Sequence, residues 1–200
     1  MAASLPPPSP PLPLLLFFAF IAASSFAVVV LSHGDAPSAA SGGLIASTCN
    51  RTLYYDVCVA SLASRPRSRR ADVQGLAAIA LDVSLAHAKA TVALAKNLSR
   101  SHDASAGEGR TYAAWCLRDC VEEYKEAVDV LRLSAAALRR GAYDDVNDLV
   151  SAAMTNSDTC ESAYADKPGL QSPFMERNEY FFKLCSVAIA IANLLHDSGP

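Results

Sequence analysis

The chain has 200 residues, 52% of them hydrophobic and 18% charged, with a formal net charge of −3 at neutral pH. That length fits one ordinary domain plus an unusually apolar segment, and the negative balance argues against nucleic acid as a partner. Its six cysteines mean disulfides in an oxidising compartment and metal or redox chemistry in a reducing one, so the N-terminus decides how they are read.

Residues 12–31, LPLLLFFAFIAASSFAVVVL, carry no charge and run for about the length of a secretory apolar region or a short membrane helix. Small residues at Ala22, Ala23 and Ala27, followed by HGDAPSAASGG, offer cleavage sites, with Ala27 or Ala36 as the preferred ends. Only the terminal amine supplies positive charge ahead of this run, since MAASLPPPSPP has no basic residue. Residues 1–36 therefore read as a cleaved signal peptide, with a retained anchor as the alternative, followed by a short linker to 43. Export makes disulfides the expected state of the cysteines. Two sequons fit the same route, with Asn50 (in Asn50-Arg51-Thr52) and Asn97 (in Asn97-Leu98-Ser99) as glycan acceptors.

Cys49 and Cys58 stand nine positions apart. On one straight helix that is about 13.5 Å, beyond the roughly 7 Å that bridged Cα atoms tolerate, so an oxidised pair requires the chain to turn between them. Residues 44–63 are thus predicted as a small stapled helical hairpin packed across the end of a larger body. SRPRSRRAD links it to the first long helix.

From there apolar residues recur at helical spacing almost throughout. Leu76, Ala80, Val83, His87, Ala90 and Leu94 predict an inward stripe on a helix over 71–100. SHDASAGEGR breaks it, and a second long helix is predicted over 111–140, closed by Gly141. Asp144 and Asp145 suit the start of a third, running to Tyr164 and ended by DKPGLQSP. The last, over 174–196, places Phe181, Leu184, Ala188, Ile191 and Leu195 on one side. Four amphipathic helices with short connections predict an all-α fold: an antiparallel up-down four-helix bundle over 44–196, with an N-terminal helical hairpin and disulfide stabilisation.

Such a bundle tests the cysteine pairing. In a hairpin turning at Gly141, Cys120 and Cys160 are nearly level, about 3 Å apart along the axis, whereas Cys116 is roughly 9 Å out of step with Cys160. Geometry favours Cys120 with Cys160, leaving Cys49 with Cys58. A third bridge between Cys116 and Cys185 stays open, although Cys185 fits a buried free thiol on the core stripe beside Leu184.

Catalysis finds no foothold. His33, His87, His102 and His196 are scattered over leader, stripe, loop and tail, and neither an H-E-x-x-H nor a G-x-S-x-G pattern occurs. His87 on an apolar stripe reads as a satisfied core or boundary histidine. The cysteine spacings do not resemble a zinc site, and GEG is too short to cradle a phosphate, so neither metal nor cofactor is expected. What remains is a solvated face on the second long helix. Glu122, Glu126 and Asp129 recur at i, i+4 and i+7, opposite the seam of Leu117, Cys120, Val121, Tyr124, Val128 and Leu131. This is either an ordinary charged exterior or an acidic docking strip for a partner with a basic rim, interrupted by Lys125 and Arg132.

The C-x8-C hairpin, ADVQGLAAIALDVSLAHAK, LRDCVEEYKEAVDVL, GAYDDVNDLVSAAMTNSDTCESAY and LCSVAIAIANLL together resemble the plant invertase and pectin methylesterase inhibitor family over 44–195. The resemblance implies an extracellular four-helix bundle with an N-terminal hairpin and two disulfides that coincide with the pairs above. Cys185 corresponds to the family's unpaired cysteine, and Cys116 is an addition to its pattern. In the branch that inhibits pectin methylesterase, the bundle covers the enzyme's cleft in a one-to-one complex. The matching contact positions here are Glu122, Glu126, Asp129, Asn147 and Thr159. In the invertase branch a Pro-Lys-Phe tripeptide after the inter-helix glycine enters the enzyme, and here Tyr143-Asp144-Asp145 stands in that place. Losing the lysine and gaining two carboxylates favours a pectin methylesterase as the target, with cell-wall or vacuolar acid invertase as the alternative. The expected protein is a secreted apoplastic inhibitor and not an enzyme, with no membrane contact once the leader is gone. With the sequence stopping at Pro200, it reads as a free-standing inhibitor and not a pro-region ahead of an esterase domain.

Overall fold

No helix of this chain can bury its apolar stripe alone, and the fold answers by laying four of them side by side. The structure is a computed structural model that describes residues 37–105 and 111–197. The apolar leader run, both preferred cleavage sites, His33 and the GEG segment lie outside those residues. The elements are α1 (Pro37–Cys49), α2 (Tyr55–Ala63), a 3-10 turn (Pro66–Arg70), α3 (Val73–Ser105), α4 (Tyr112–Arg139), α5 (Tyr143–Ala165) and α6 (Met175–Asp197). Among the described residues there is no strand.

Helix ends follow local chemistry. The Asp72 carboxylate accepts the Gly75 amide at 2.8 Å and so caps α3, and Thr111 Oγ1 accepts the Ala114 amide at 3.2 Å at the head of α4. Gly141 sits at φ +71°, where glycine is tolerated and other residues are strained. Its amide and that of Ala142 donate to the carbonyls of Leu138 and Ala137, both at 3.1 Å, which ends α4 and turns the chain. Asp144 and Asp145 then occupy the first turn of α5, as their charge favours.

Each long helix packs on two neighbours in the cyclic order α3, α4, α5, α6. The predicted α4 seam, Leu117 to Leu131, is buried throughout, and on α6 Phe181, Leu184, Ala188 and Ile191 are buried while Leu195 is half-buried. On α3 the stripe is corrected. Leu76 and Ala80 face inward, but Ala90 is exposed and Val83, His87 and Leu94 are only half-buried. Below them the inward line is Ala77, Leu81, Ser84, Ala88, Thr91 and Ala95, the same rhythm displaced by one residue. Ser84 and Thr91 hid this line from an apolar count. Each hydroxyl can be buried because it donates to the carbonyl one turn back, Ala80 at 3.1 Å and His87 at 3.0 Å.

α1 and α2 form the expected hairpin, although α1 starts at Pro37, inside the segment read as a linker. The hairpin packs on α3 and α6. It reaches partway along α6: the Lys183 ammonium lies 6.0 Å from the Tyr54 ring centroid. The arginine-rich link forms the 3-10 turn, tied to α3 by the Arg67–Asp82 ion pair.

Disulfides join Cys49 to Cys58 and Cys120 to Cys160, with Cα separations of 5.5 and 4.6 Å. Cys116 and Cys185 are free and buried, so the third bridge left open by the sequence does not form. The Cys116 thiol donates to the Ala163 carbonyl at 3.2 Å. Burial pushes the Cys185 thiol up to about 12 and raises Cys116 as well, which keeps both protonated and unreactive at physiological pH.

Candidate functional site

With its seam buried, α4 turns its other side to solvent. Trp115, Glu122, Glu126 and Leu133 are exposed and fall on one line of a helix with 3.6 residues per turn. Asp129 stands close to that line. Arg118, Lys125 and Arg132 run along its α3 flank, and Asp119 and Glu123 along the flank nearer α5.

The carboxylates are unequal. Glu122 pairs with Lys125 at 2.7 Å and Asp129 with Arg132 at 2.6 Å, so the two cations that interrupt the strip also neutralise part of it. Glu126 has no ion-pair partner among the described residues. Asp119 and Glu123, absent from the sequence reading, extend the acidic side: burial raises the Asp119 carboxyl, and burial followed by repulsion from Asp119 and Glu126 raises Glu123. Their signal was available, because 119, 123 and 126 repeat the spacing of the strip. Trp115 was also missed, although it is the only tryptophan in the chain. It is 48% exposed and its ring centroid lies 5.4 Å from that of Tyr112.

Asn147 and Thr159 do not join the row. Asn147 is half-buried and its Nδ2 donates to Asn193 Oδ1 at 2.7 Å, which turns it toward α6. Thr159 is exposed on α5, with its hydroxyl donating to the Thr155 carbonyl at 3.0 Å. The five positions taken over from the family resemblance thus spread over α4, the outside of α5 and the α5–α6 seam. At the α4–α5 corner Asp144 and Asp145 are exposed, 3.8 Å from His196 Nε2 and 3.6 Å from Arg140 respectively. Both sequon asparagines are exposed, Asn50 beside the hairpin turn and Asn97 on α3, where its Oδ1 accepts from Arg100.

Beneath the ridge the bundle is cross-braced. Tyr124 OH donates to Asn178 Oδ1 at 2.6 Å, and Asn178 Nδ2 donates to Glu161 Oε2 at 2.7 Å, joining α4, α6 and α5 through groups that would be costly to leave unpaired. Burial holds the Tyr124 phenol protonated. His87 is half-buried between Phe181, stacked at 5.8 Å, and Tyr180 at 5.4 Å, and its Nε2 donates to the Arg177 carbonyl at 3.0 Å. Among the described residues no three His, Cys, Asp or Glu side chains gather as a metal would require. Such an arrangement can bind and brace.

The chain belongs to the plant invertase/pectin methylesterase inhibitor family, whose sequence profile matches residues 43–191. It is 39% identical to pectinesterase inhibitor 28 of Oryza sativa subsp. japonica, over 82% of this chain and 73% of that protein. It is 36% identical to the cell wall/vacuolar inhibitor of fructosidase 2 of Arabidopsis thaliana, over 76% of this chain and 83% of that one. Its fold is similar to the crystal structure of a mutant form of a pectin methylesterase inhibitor from Arabidopsis, with a TM-score of 0.61 and 25% identity over 75% of this chain and 95% of that one. Curated relatives in this family are named as inhibitors of enzymes.

Proposed function

We propose that the protein is secreted to the plant cell wall and inhibits a pectin methylesterase by occlusion. In a one-to-one complex the α4 ridge, flanked by α5, lies over the enzyme's cleft and bars the polymeric substrate. The observation that carries this reading is the ridge itself: an exposed tryptophan and an exposed leucine bracket a row of carboxylates on a helix braced from behind. Exposed aromatic side chains that a partner can bury are the usual centres of protein–protein affinity. The protein's own role is to exclude substrate, and it performs no chemistry.

Inhibition of acid invertase is the second reading, favoured by the 36% identity to a fructosidase inhibitor. Against it stands the α4–α5 corner, where Asp144 and Asp145 hold the place of the tripeptide's lysine and Arg140 partly offsets only Asp145. Two carboxylates facing an acidic catalytic site would repel. Mixing the purified protein with plant pectin methylesterase should reduce methanol release while plant acid invertase keeps its activity. The reverse selectivity establishes the second reading.

A further inference from the structure

Three open cavities follow one another along α3. One of about 600 Å³ is lined by Arg65, Arg67, Asp82 and Lys89. The next, about 340 Å³, shares Lys89 and adds Lys125, Asp129 and Arg132 across the groove on α4. Beyond it a third, about 590 Å³, holds Lys96 and Arg100 on one wall and Arg118 and Glu122 on the other. Arg118, Lys125 and Arg132 recur every seven residues, a ladder of about 10.5 Å steps. The antiparallel α3 sets Lys89, Lys96 and Arg100 opposite them.

The two walls differ in charge. On α4, Lys125 and Arg132 are paired within their own helix, and Arg118 meets Asp103 at 3.7 Å. On α3, Lys89, Lys96 and Arg100 have no carboxylate partner among the described residues. The groove thus keeps an unneutralised positive wall in a chain whose net charge is negative. Its floor is apolar, with Val92 and Val128 under the middle cavity and Val121 under the third.

We propose that the α3–α4 groove binds a stretch of de-esterified polyuronate, a linear polysaccharide with one carboxylate per sugar. Spaced cations over an open trough suit a repeating polyanion that lies lengthwise. Guanidinium forks match carboxylate geometry. The valine floor offers apolar contact to the C–H faces of sugar rings, which a peptide of acidic side chains would not use. The choice of a uronate rests on the proposed target, because removing methyl esters from pectin exposes these carboxylates. Binding would hold the protein on the wall polymer without any enzyme.

The full-length secreted protein, titrated calorimetrically with oligogalacturonate of defined length and no calcium, tests this. Binding is expected at about 50 mM salt and should weaken at least about fivefold at about 300 mM, as screening of exposed charges requires. A fully methyl-esterified oligomer should not bind. Lys89→Glu/Lys96→Glu should weaken binding at least about tenfold, whereas Lys167→Glu, a charge reversal at an exposed site past the end of α5 and outside the groove, should bind as wild type. Thermal melts confirm that each variant folds. No binding at low salt, equal binding of the esterified oligomer, equal binding of polyglutamate of matched charge, or equal loss in both variants would overturn the proposal. So would a groove variant that loses enzyme inhibition while still binding the oligomer. No enzyme is present in the titration, so failure to inhibit either target class would overturn the inhibitor reading and leave this result legible.

Discussion

Burial decides the charge of His87. Wedged against Phe181 and Tyr180, its imidazole is lowered from 6.5 to about 4, first by desolvation and then by the Arg177 charge. The unfolded chain therefore takes up a proton that the fold refuses between about pH 6.5 and 4, and stability falls as pH drops through that window. The loss should be on the order of 2 kcal/mol once partial exposure is discounted. Thermal melts from pH 7 to 4 should show His87→Gln with a shallower decline than wild type; parallel curves would assign the acid sensitivity elsewhere. Gly141 makes a second claim at this scale. Nothing lies within 4 Å of an added Cβ, so Gly141→Ala costs only backbone strain at φ +71°, about 1 kcal/mol of stability by urea titration. Gly141 was legible in the sequence as a helix-ending glycine, because a turn is set by its own residues, whereas the sequence offered His87 as a core or boundary histidine and only Phe181 and Tyr180 on α6 decide which.

For the elements, the two disulfides differ in what they hold. Cys120–Cys160 spans 40 positions and ties α4 to α5, whereas Cys49–Cys58 spans nine and closes only the hairpin. In the chain-entropy account these contribute about 4 and about 3 kcal/mol. Cys120→Ala/Cys160→Ala should lower the bundle's Tm by roughly 8 to 15 °C. Cys49→Ala/Cys58→Ala should chiefly speed amide exchange in α1 and α2, because that bridge closes a hairpin that packs on the outside of α3 and α6. The pairing was readable because two antiparallel helices about a glycine turn have a fixed axial register. The ridge of α4 was half readable. Its carboxylates showed in the spacing, but Trp115 and Leu133 sit on the same line only when the whole helix is laid out. Trp115→Ala and Glu126→Lys should each weaken inhibition of the target esterase at least about tenfold while leaving the melting curve unchanged. Glu176→Gln, exposed at the start of α6 across the bundle from α4, serves as the silent control.

At the scale of the molecule, unpaired charge is segregated among the described residues. Carboxylates without a cation partner stand along α4 at Asp119, Glu123 and Glu126, and cations without a carboxylate partner along α3 at Lys89, Lys96 and Arg100. An acidic face that steers a basic-rimmed enzyme acts over distances set by screening, so raising salt from about 50 to about 300 mM should slow complex formation far more than it speeds dissociation. Stopped-flow association rates check this, and a salt-independent on-rate would remove the acidic face from the account. This segregation was poorly legible, since Lys89 and Lys125 lie 36 positions apart and meet only because α3 and α4 run antiparallel in one register.

Sequence alone determined the helices, the level pair of bridged cysteines and the family, because helical period, turn glycines and motif order are local properties that survive without coordinates. Tertiary structure decided which of two adjacent stripes on α3 faces inward, that Cys116 and Cys185 stay apart, that Asn147 turns from the ridge toward α6, and that two rows of cations share a groove. Those outcomes depend on what stands across from each residue. A serine or threonine whose hydroxyl bonds its own helix can be buried as readily as an alanine, and a pattern of apolar letters does not record that choice.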